Sequence, residues 1–174
     1  VNGHSYANSK SPNTNFALLL SQEFTEPFDQ PIVYGRYIAS LANMLSGGII
    51  VQRYGDLKRG RRSTPGRIEK GVVEPTLTAA VPGDLSLVLP HRFMVGIREC
   101  IEALDLAIPG VASDHTLLYG IETKFYSART QLDSTFNTPI KGLRAIGDGA
   151  GVSRGLIQAS VSGVIAARGI LEEA

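Results

Sequence analysis

The stretch Gly142–Ile157 constrains the fold more than any other part of this chain. A short apolar segment containing Leu143 and Ala145 leads into a turn with glycines at 147, 149 and 151, and small and apolar residues follow. This pattern predicts a strand, a tight turn and a helix over about residues 152–171. Because a helix start presents unpaired N–H groups and a partial positive charge, the arrangement is typical of phosphate binding.

Asp148 lies in the turn, where a carboxylate can accept hydrogen bonds from sugar hydroxyls, and this favours a dinucleotide ligand. The usual dinucleotide fingerprint is G-x-G-x-x-G after a first strand, with an acidic residue about 20 positions later. Residues 1–140 contain no match, and the sixth position of the frame opened by Gly147 is Val152. On spacing alone, a strand–helix turn without a ligand is an equal alternative.

Four spaced stretches resemble one family of proteins. Ala145–Gly155 and the following Gln158–Gly163 resemble the C-terminal FAD-contacting motif of two-dinucleotide-domain flavoproteins. More narrowly, they are similar to the predicted FAD-dependent (NAD-utilising) dehydrogenases of bacteria, as are Asn2–Tyr6, Gly55–Pro65 and Ser113–Tyr126. The resemblance implies that this chain is the C-terminal part of a longer flavoprotein, whose N-terminal FAD fingerprint precedes it.

The resemblance also implies roles for residues of the turn. Asp148 would bind the ribityl chain of FAD, the small residues would allow close approach, and backbone amides near Val152 to Arg154 would face the flavin or the phosphates. The predicted cofactor-binding residues are Gly147, Asp148, Gly149, Ala150, Gly151, Val152 and Arg154. NAD(P) is implied as a second cofactor. We expect the chain by itself to retain no FAD, because the missing N-terminal part holds the other half of the site.

Composition narrows the class of protein. The chain has 174 residues, 43% of them hydrophobic, and a net charge of +1, which argues against a surface that coats nucleic acid. Its one cysteine, Cys100, excludes an intrachain disulfide and favours a reducing cytoplasm. No run of 18 apolar residues predicts a membrane span. The first residue, Val1 rather than Met, favours an excised piece.

The order of predicted elements indicates an α+β fold, a mixed sheet with flanking helices. Strands are expected at Phe16–Ser21, Ile49–Tyr54 and within Thr116–Tyr126, the last as a strand or a hairpin. Helices are expected to begin at Pro31 and Pro90, and residues 55–90 look mostly irregular. We predict a middle (substrate or cap) domain over 1–132. Residues 133–174 would form a strand–turn–helix that belongs to an FAD-binding domain.

Basic residues cluster within positions 58–70: Lys58, Arg59, Arg61, Arg62, Arg67 and Lys70. A solvated loop explains them as well as an anionic ligand does, and among them Arg59, Arg61 and Arg62 are the candidate ligand residues. The cluster lacks interleaved aromatic residues, so nucleic acid is a poor fit. The alternative function is nevertheless a non-catalytic module that binds an anionic ligand or RNA through this loop.

The remaining candidates for chemistry are few. His4 and His115 lie in polar, loop-like contexts and are the candidate catalytic residues. Asp114 precedes His115, although neighbours on a strand face opposite ways. The spacing of the histidines predicts no metal site. Cys100 lies on an apolar helix face and is predicted to be core.

Small residues recur along the predicted terminal helix at four-residue intervals: Gly155, Ala159, Gly163 and Ala167. Glycine within a helix costs about 1 kcal/mol relative to alanine. We interpret the row as a stripe that packs closely against a sheet.

Overall fold

The computed structural model describes residues 8–10, 12–125 and 129–173. Its elements in chain order are α1 (Pro31–Ser46), β1 (Ile50–Arg53), α2 (Tyr54–Lys58), α3 (Pro65–Glu69), β2 (Val81–Pro82), a 3₁₀ turn (Leu85–Leu87), α4 (His91–Ala107), β3 (Leu117–Gly120), a second 3₁₀ turn (Asp148–Ala150) and α5 (Leu156–Glu173). The chain divides into two compact units, with the boundary in the sequence between Thr123 and Lys124. The protein is α+β, as predicted.

The first unit is built on a small mixed sheet of three strands in the order β2-β1-β3. β1 pairs in parallel with β2 and antiparallel with β3, with Ile50 opposite both Val81 and Gly120. The central strand is buried along Ile50, Val51 and Gln52, and β2 and β3 pair with its two edges. The strand predicted at Ile49–Tyr54 is therefore confirmed over Ile50–Arg53.

Two long helices contribute Ala42, Met94 and Ile101 to the core of this unit. α1 begins with Pro31 at its first position and ends at Gly47, whose φ of 65° and N–H bond to the Asn43 carbonyl close the helix. α4 begins directly after Pro90. The buried apolar cluster consists of Ala42, Ile50, Tyr54, Leu57, Leu85, Val88, Met94 and Ile101. Both predicted helix starts are therefore confirmed.

Three expectations for this unit were wrong or incomplete. Phe16–Ser21 forms no strand, and Phe16 and Leu19 are 54% and 62% exposed. An apolar run becomes a strand only where a neighbour pairs with its backbone, and no described strand pairs with this one. β3 covers only Leu117–Gly120 of the predicted strand or hairpin. Residues 55–90 are mostly irregular, as predicted, but they also contain most of α2, all of α3, β2 and a 3₁₀ turn.

The second unit contains a glycine-rich turn followed by α5. The strand predicted around Leu143 and Ala145 is reduced to one isolated bridge between Asn137 and Arg144. α5 begins at Leu156 and not near residue 152, so the predicted helix start was wrong. Gly151 adopts a left-handed conformation and ends the short 3₁₀ turn there, which breaks the backbone path before a helix can continue.

The row of small residues on α5 also needs correction. Gly155 precedes the helix, Ala167 is exposed, and the buried positions are Ser162, Ala166 and Gly169. Each step of four residues turns about 40° beyond a full helical turn, so a row that spans twelve residues leaves one face. Within the described ranges, no helix is both long and apolar enough to cross a membrane.

Candidate functional site

The glycine turn, Gly147–Gly151, is held in a shape that depends on its glycines. Gly147 and Gly151 both have a φ of 71°, a region that other residues rarely adopt, and they bracket the 3₁₀ turn Asp148–Ala150. The Gly147 N–H donates to Ser162 Oγ on α5 at 3.0 Å. Ala150 is buried, whereas Gly149 is exposed. The turn is therefore anchored at its ends and open at its middle.

Asp148 lies exposed in this turn. Its Oδ1 accepts a hydrogen bond from the buried Ser153 hydroxyl at 2.6 Å, which fixes the position of the carboxylate. The Arg154 N–H donates to Gln158 Oε1 at 3.1 Å, and Val152 is half-buried. The residues predicted to contact a cofactor thus lie in one continuous segment of the chain. The sequence did not predict the role of Ser153, which holds the Asp148 carboxylate.

A polar cluster behind the turn was also not foreseen. Arg144 donates from Nε to Asn137 Oδ1 at 2.7 Å and pairs through Nη2 with Glu173 at 2.6 Å. Asp133 accepts bonds from Thr135 and Asn137, and these bonds lower its pKa to about 2, led by the backbone N–H of Asn137. The cluster ties the loop before the turn to the end of α5. Only the fold brings these residues together.

Three of the basic residues in the 58–70 loop are paired with carboxylates. Lys58 and Arg59 lie 2.7 and 2.6 Å from the two oxygens of Asp114, and their hydrogen bonds lower its pKa to about 2. Gly55 makes room for this arrangement, because a Cβ there would lie 2.7 Å from Asp114 Cγ. Asp114 therefore faces α2 and not His115.

The third pair belongs to a group that we name the Asp56 cluster: the buried Asp56 and Ser63 and the exposed Arg61. Asp56 is 1% exposed, and its two oxygens accept from Arg61 Nε and Ser63 Oγ, each at 2.8 Å. Burial alone would raise the pKa of Asp56, but the bonds from Ser63 and Arg61 lower it below its ordinary value. Ser63 Oγ in turn accepts from the Arg53 N–H at 2.9 Å. Residues of Gly55–Pro65, one of the stretches that resemble the dehydrogenase family, therefore form hydrogen bonds within the chain.

Gln52 extends this polar interior. It is fully buried, donates to the Arg61 carbonyl at 2.9 Å and accepts from the Leu85 N–H at 2.8 Å. Of the candidate anion-binding residues, Arg59 and Arg61 are engaged by carboxylates, and Arg62 is exposed with its carbonyl accepting from Arg67 Nη1.

Of the two candidate catalytic histidines, the structure describes His115. His4 lies outside the described residues, as does the Asn2–Tyr6 stretch. His115 Nδ1 accepts from the Val72 N–H at 3.3 Å and lies 3.3 Å from Arg53 Nη2. Its role in catalysis stays a prediction. Among the described residues, no group of three or more His, Cys, Asp or Glu side chains is placed to hold a metal ion.

Cys100 is exposed, so its predicted place in the core was wrong. On α4 the buried positions are Met94 and Ile101. Residues that are neighbours in sequence differ by about 100° around a helix, so the position beside the buried Ile101 can face solvent.

Comparison with known proteins adds one relative. No protein-family model matches the chain. An uncharacterized protein of Clostridium beijerinckii is 33% identical over 184 aligned residues, which include 99% of this chain. The alignment covers 33% of that protein, so the chain spans about a third of the length of the relative.

Proposed function

We propose that this chain is the C-terminal part of a longer FAD-dependent oxidoreductase and that its glycine turn receives the flavin side of the cofactor. The observation that carries the proposal is the shape of the turn. Two left-handed glycines frame an exposed carboxylate, Asp148, and an 18-residue helix follows. This combination offers close backbone approach and a hydrogen-bond acceptor in one place.

The residues present fit such a ligand. A Cβ at Gly149 or Gly155 would meet no heavy atom within 4 Å, so open space borders the turn. Ser153 holds the Asp148 carboxylate in a fixed position, and each carboxylate oxygen can accept more than one bond. Bound FAD would supply the hydride transfer. The role of the chain would be to orient the cofactor through Asp148 and to approach it through the small residues of the turn.

Exposed apolar side chains beside the turn also support the proposal. Leu156 and Ile157, the first residues of α5, are 89% and 81% exposed. Contiguous exposed apolar patches mark places where a protein contacts further protein or a ligand. The greater length of the Clostridium relative is consistent with further protein that this chain does not include.

Flavin content of the full-length protein tests the proposal. We expect it to purify with FAD, and Asp148→Ala to weaken FAD binding about 10- to 150-fold, because a charge-assisted hydrogen bond contributes roughly 1.5–3 kcal/mol. Glu172→Ala is the matched control, since it removes another exposed carboxylate of the same unit and should leave FAD content unchanged. A folded full-length protein that neither contains nor takes up FAD would contradict the proposal.

The isolated chain provides a second test. Because the proposed N-terminal half of the site is missing, we expect the 174-residue chain to purify without a visible flavin spectrum. A stoichiometric yellow chromophore would contradict this expectation. The proposal includes a small-molecule substrate, NAD(P) as a second cofactor and a cytoplasmic location, the last supported by the single cysteine of the sequence.

The alternative, a module that binds an anionic ligand or RNA through residues 58–70, has one supporting observation. Arg62 and Lys70 are exposed on the loop. The carboxylate pairs of Lys58, Arg59 and Arg61 reduce the positive charge that the loop presents. A salt-sensitive shift of RNA mobility by the isolated chain would favour this alternative.

A further inference from the structure

We propose that one edge of the Arg53 guanidinium, formed by Nε and Nη2, is a binding site for an oxyanion on a small molecule. The oxyanion is a carboxylate or a phosphate group. The site lies in the first unit, at the end of β1, and involves none of the residues assigned to the flavin. It therefore goes beyond the proposed function.

Hydrogen bonding leaves this edge poorly used. Arg53 Nη1 donates to the Arg67 carbonyl at 3.3 Å, and Nη2 lies 3.3 Å from His115 Nδ1. The Nε atom is buried and has no hydrogen-bond partner among the described residues. A guanidinium presents Nε and Nη2 as a flat fork that matches the two oxygens of a carboxylate or phosphate. Here the fork meets a single imidazole nitrogen.

The charge of Arg53 is also uncompensated at close range. Within the part of the chain that the structure describes, its hydrogen-bond partners are a carbonyl and an imidazole, and no carboxylate forms a salt bridge with it. Asp56 is near enough for Arg53 to help lower its pKa, but its oxygens accept from Arg61 and Ser63. A half-buried cation without a carboxylate favours an external anion.

A second donor points to the same place. The Val72 N–H donates to His115 Nδ1, so this N–H and Arg53 Nη2 converge on one acceptor. Residue 71 is glycine, and a Cβ there would lie 3.9 Å from both Arg53 Nε and His115 Nδ1. The same Cβ would lie 2.9 Å from the Ile68 carbonyl oxygen, so glycine at this position lets the backbone pass close to the two nitrogens. An oxygen that replaced Nδ1 would accept from Arg53 and from Val72.

The surroundings limit the class of ligand. Gly71 and Val72 also line a neighbouring groove of about 640 Å³, whose lining includes Leu77, Glu69 and Glu74 but neither Arg53 nor His115. Two carboxylates beside the groove disfavour a polyanion such as nucleic acid, whereas apolar residues favour a carbon skeleton. We therefore expect a small molecule with one anionic group.

NMR of the ¹⁵N-labelled chain tests the site directly through the Arg53 Nε–H signal and the His115 ring signals. Sodium phosphate and sodium acetate are the probes, each compared with sodium chloride at equal ionic strength. We expect a saturable shift of the Arg53 signal with at least one probe. A response to phosphate alone assigns the phosphate class, and a response to acetate alone assigns the carboxylate class.

Two variants and a control sharpen the result. Arg53→Lys keeps the charge but removes the fork, and we expect affinity to fall about tenfold or more. His115→Leu removes the competing acceptor and should not weaken binding. Arg62→Gln removes an exposed charge of the neighbouring loop and should change affinity less than about twofold.

Two results would overturn the proposal. One is the absence of a saturable Arg53 shift with either probe in the wild-type chain, which decides the question even if Arg53→Lys does not fold. The other is an equal loss of affinity in Arg62→Gln and Arg53→Lys, because that result indicates diffuse electrostatic attraction. No flavin is present in these measurements, so their failure is distinct from failure of the proposed oxidoreductase function.

Discussion

The Asp56 cluster and the glycine turn both carry an aspartate in a distinctive sequence motif, yet the two aspartates are placed in opposite ways. Asp56 is 1% exposed, and both of its oxygens accept bonds from side chains of the same loop. Asp148 is exposed on an open turn, with Ser153 holding one oxygen. The same residue type is thus buried and bonded within the chain in one motif and exposed in the other, a difference that only the folded protein reveals.

Removal of the buried carboxylate should have the largest effect on stability. Asp56→Ala leaves Arg61 Nε and Ser63 Oγ without their acceptor, and we expect a loss of about 1.5–3 kcal/mol in the free energy of unfolding measured with urea. Asp114→Ala is the control, because that carboxylate is exposed although it has two close cations. The loss there should be much smaller. A larger loss of unfolding free energy in Asp114→Ala than in Asp56→Ala would contradict the assignment of the stabilising role to the buried carboxylate.

Alanine substitutions at two glycines of α5 should change the free energy of unfolding in opposite directions, because Gly169 is closely packed and Gly163 is not. At Gly169 a Cβ would lie 2.9 Å from both Thr135 Cβ and Arg144 Nη1, so we expect Gly169→Ala to cost about 1–3 kcal/mol. At Gly163 the nearest atom to a new Cβ is Ile146 Cδ1 at 3.8 Å, an ordinary contact. Gly163→Ala should therefore stabilise the helix by up to about 1 kcal/mol. Thermal or urea unfolding of both variants checks the opposite signs, and equal signs would contradict this packing.

The smallest effect concerns the exposed pairs around Asp114. We expect NMR titration to give Asp114 a pKa of about 2, and Lys58→Gln combined with Arg59→Gln to return it towards 3.8. Because the folded-state pKa is lowered, the stabilisation from these pairs is fully present above pH 3.8 and is lost as the pH falls through about 2. Asp133, whose pKa is also about 2 through bonds from Asn137 and Thr135, should not respond to the double variant. If the pKa of Asp114 stays at about 2 in the double variant, the hydrogen bonds from Lys58 and Arg59 are not what lowers it.

Local signals predicted the long helices because those signals act within a few residues. Pro31 and Pro90 mark the starts of α1 and α4, and Gly47 closes α1 with a left-handed conformation. The same kind of reasoning was wrong for Phe16–Ser21, since a strand needs a neighbour whose position the run itself does not encode. It was also wrong for Cys100, because the orientation of α4 on the core decides which side of the helix is buried.

The sequence by itself determined the α+β class, the starts of α1 and α4, and the presence of a glycine turn that contains an aspartate. These features depend on backbone preferences and on interactions between near neighbours in the chain. Only the tertiary structure decided that Arg61 forms a salt bridge with Asp56 and that Arg59 forms one with Asp114. It also decided that Arg53 contacts His115, which is 62 positions away in the sequence. Charge pairing depends on distance in space and on burial, and the order of residues fixes neither until the chain has folded.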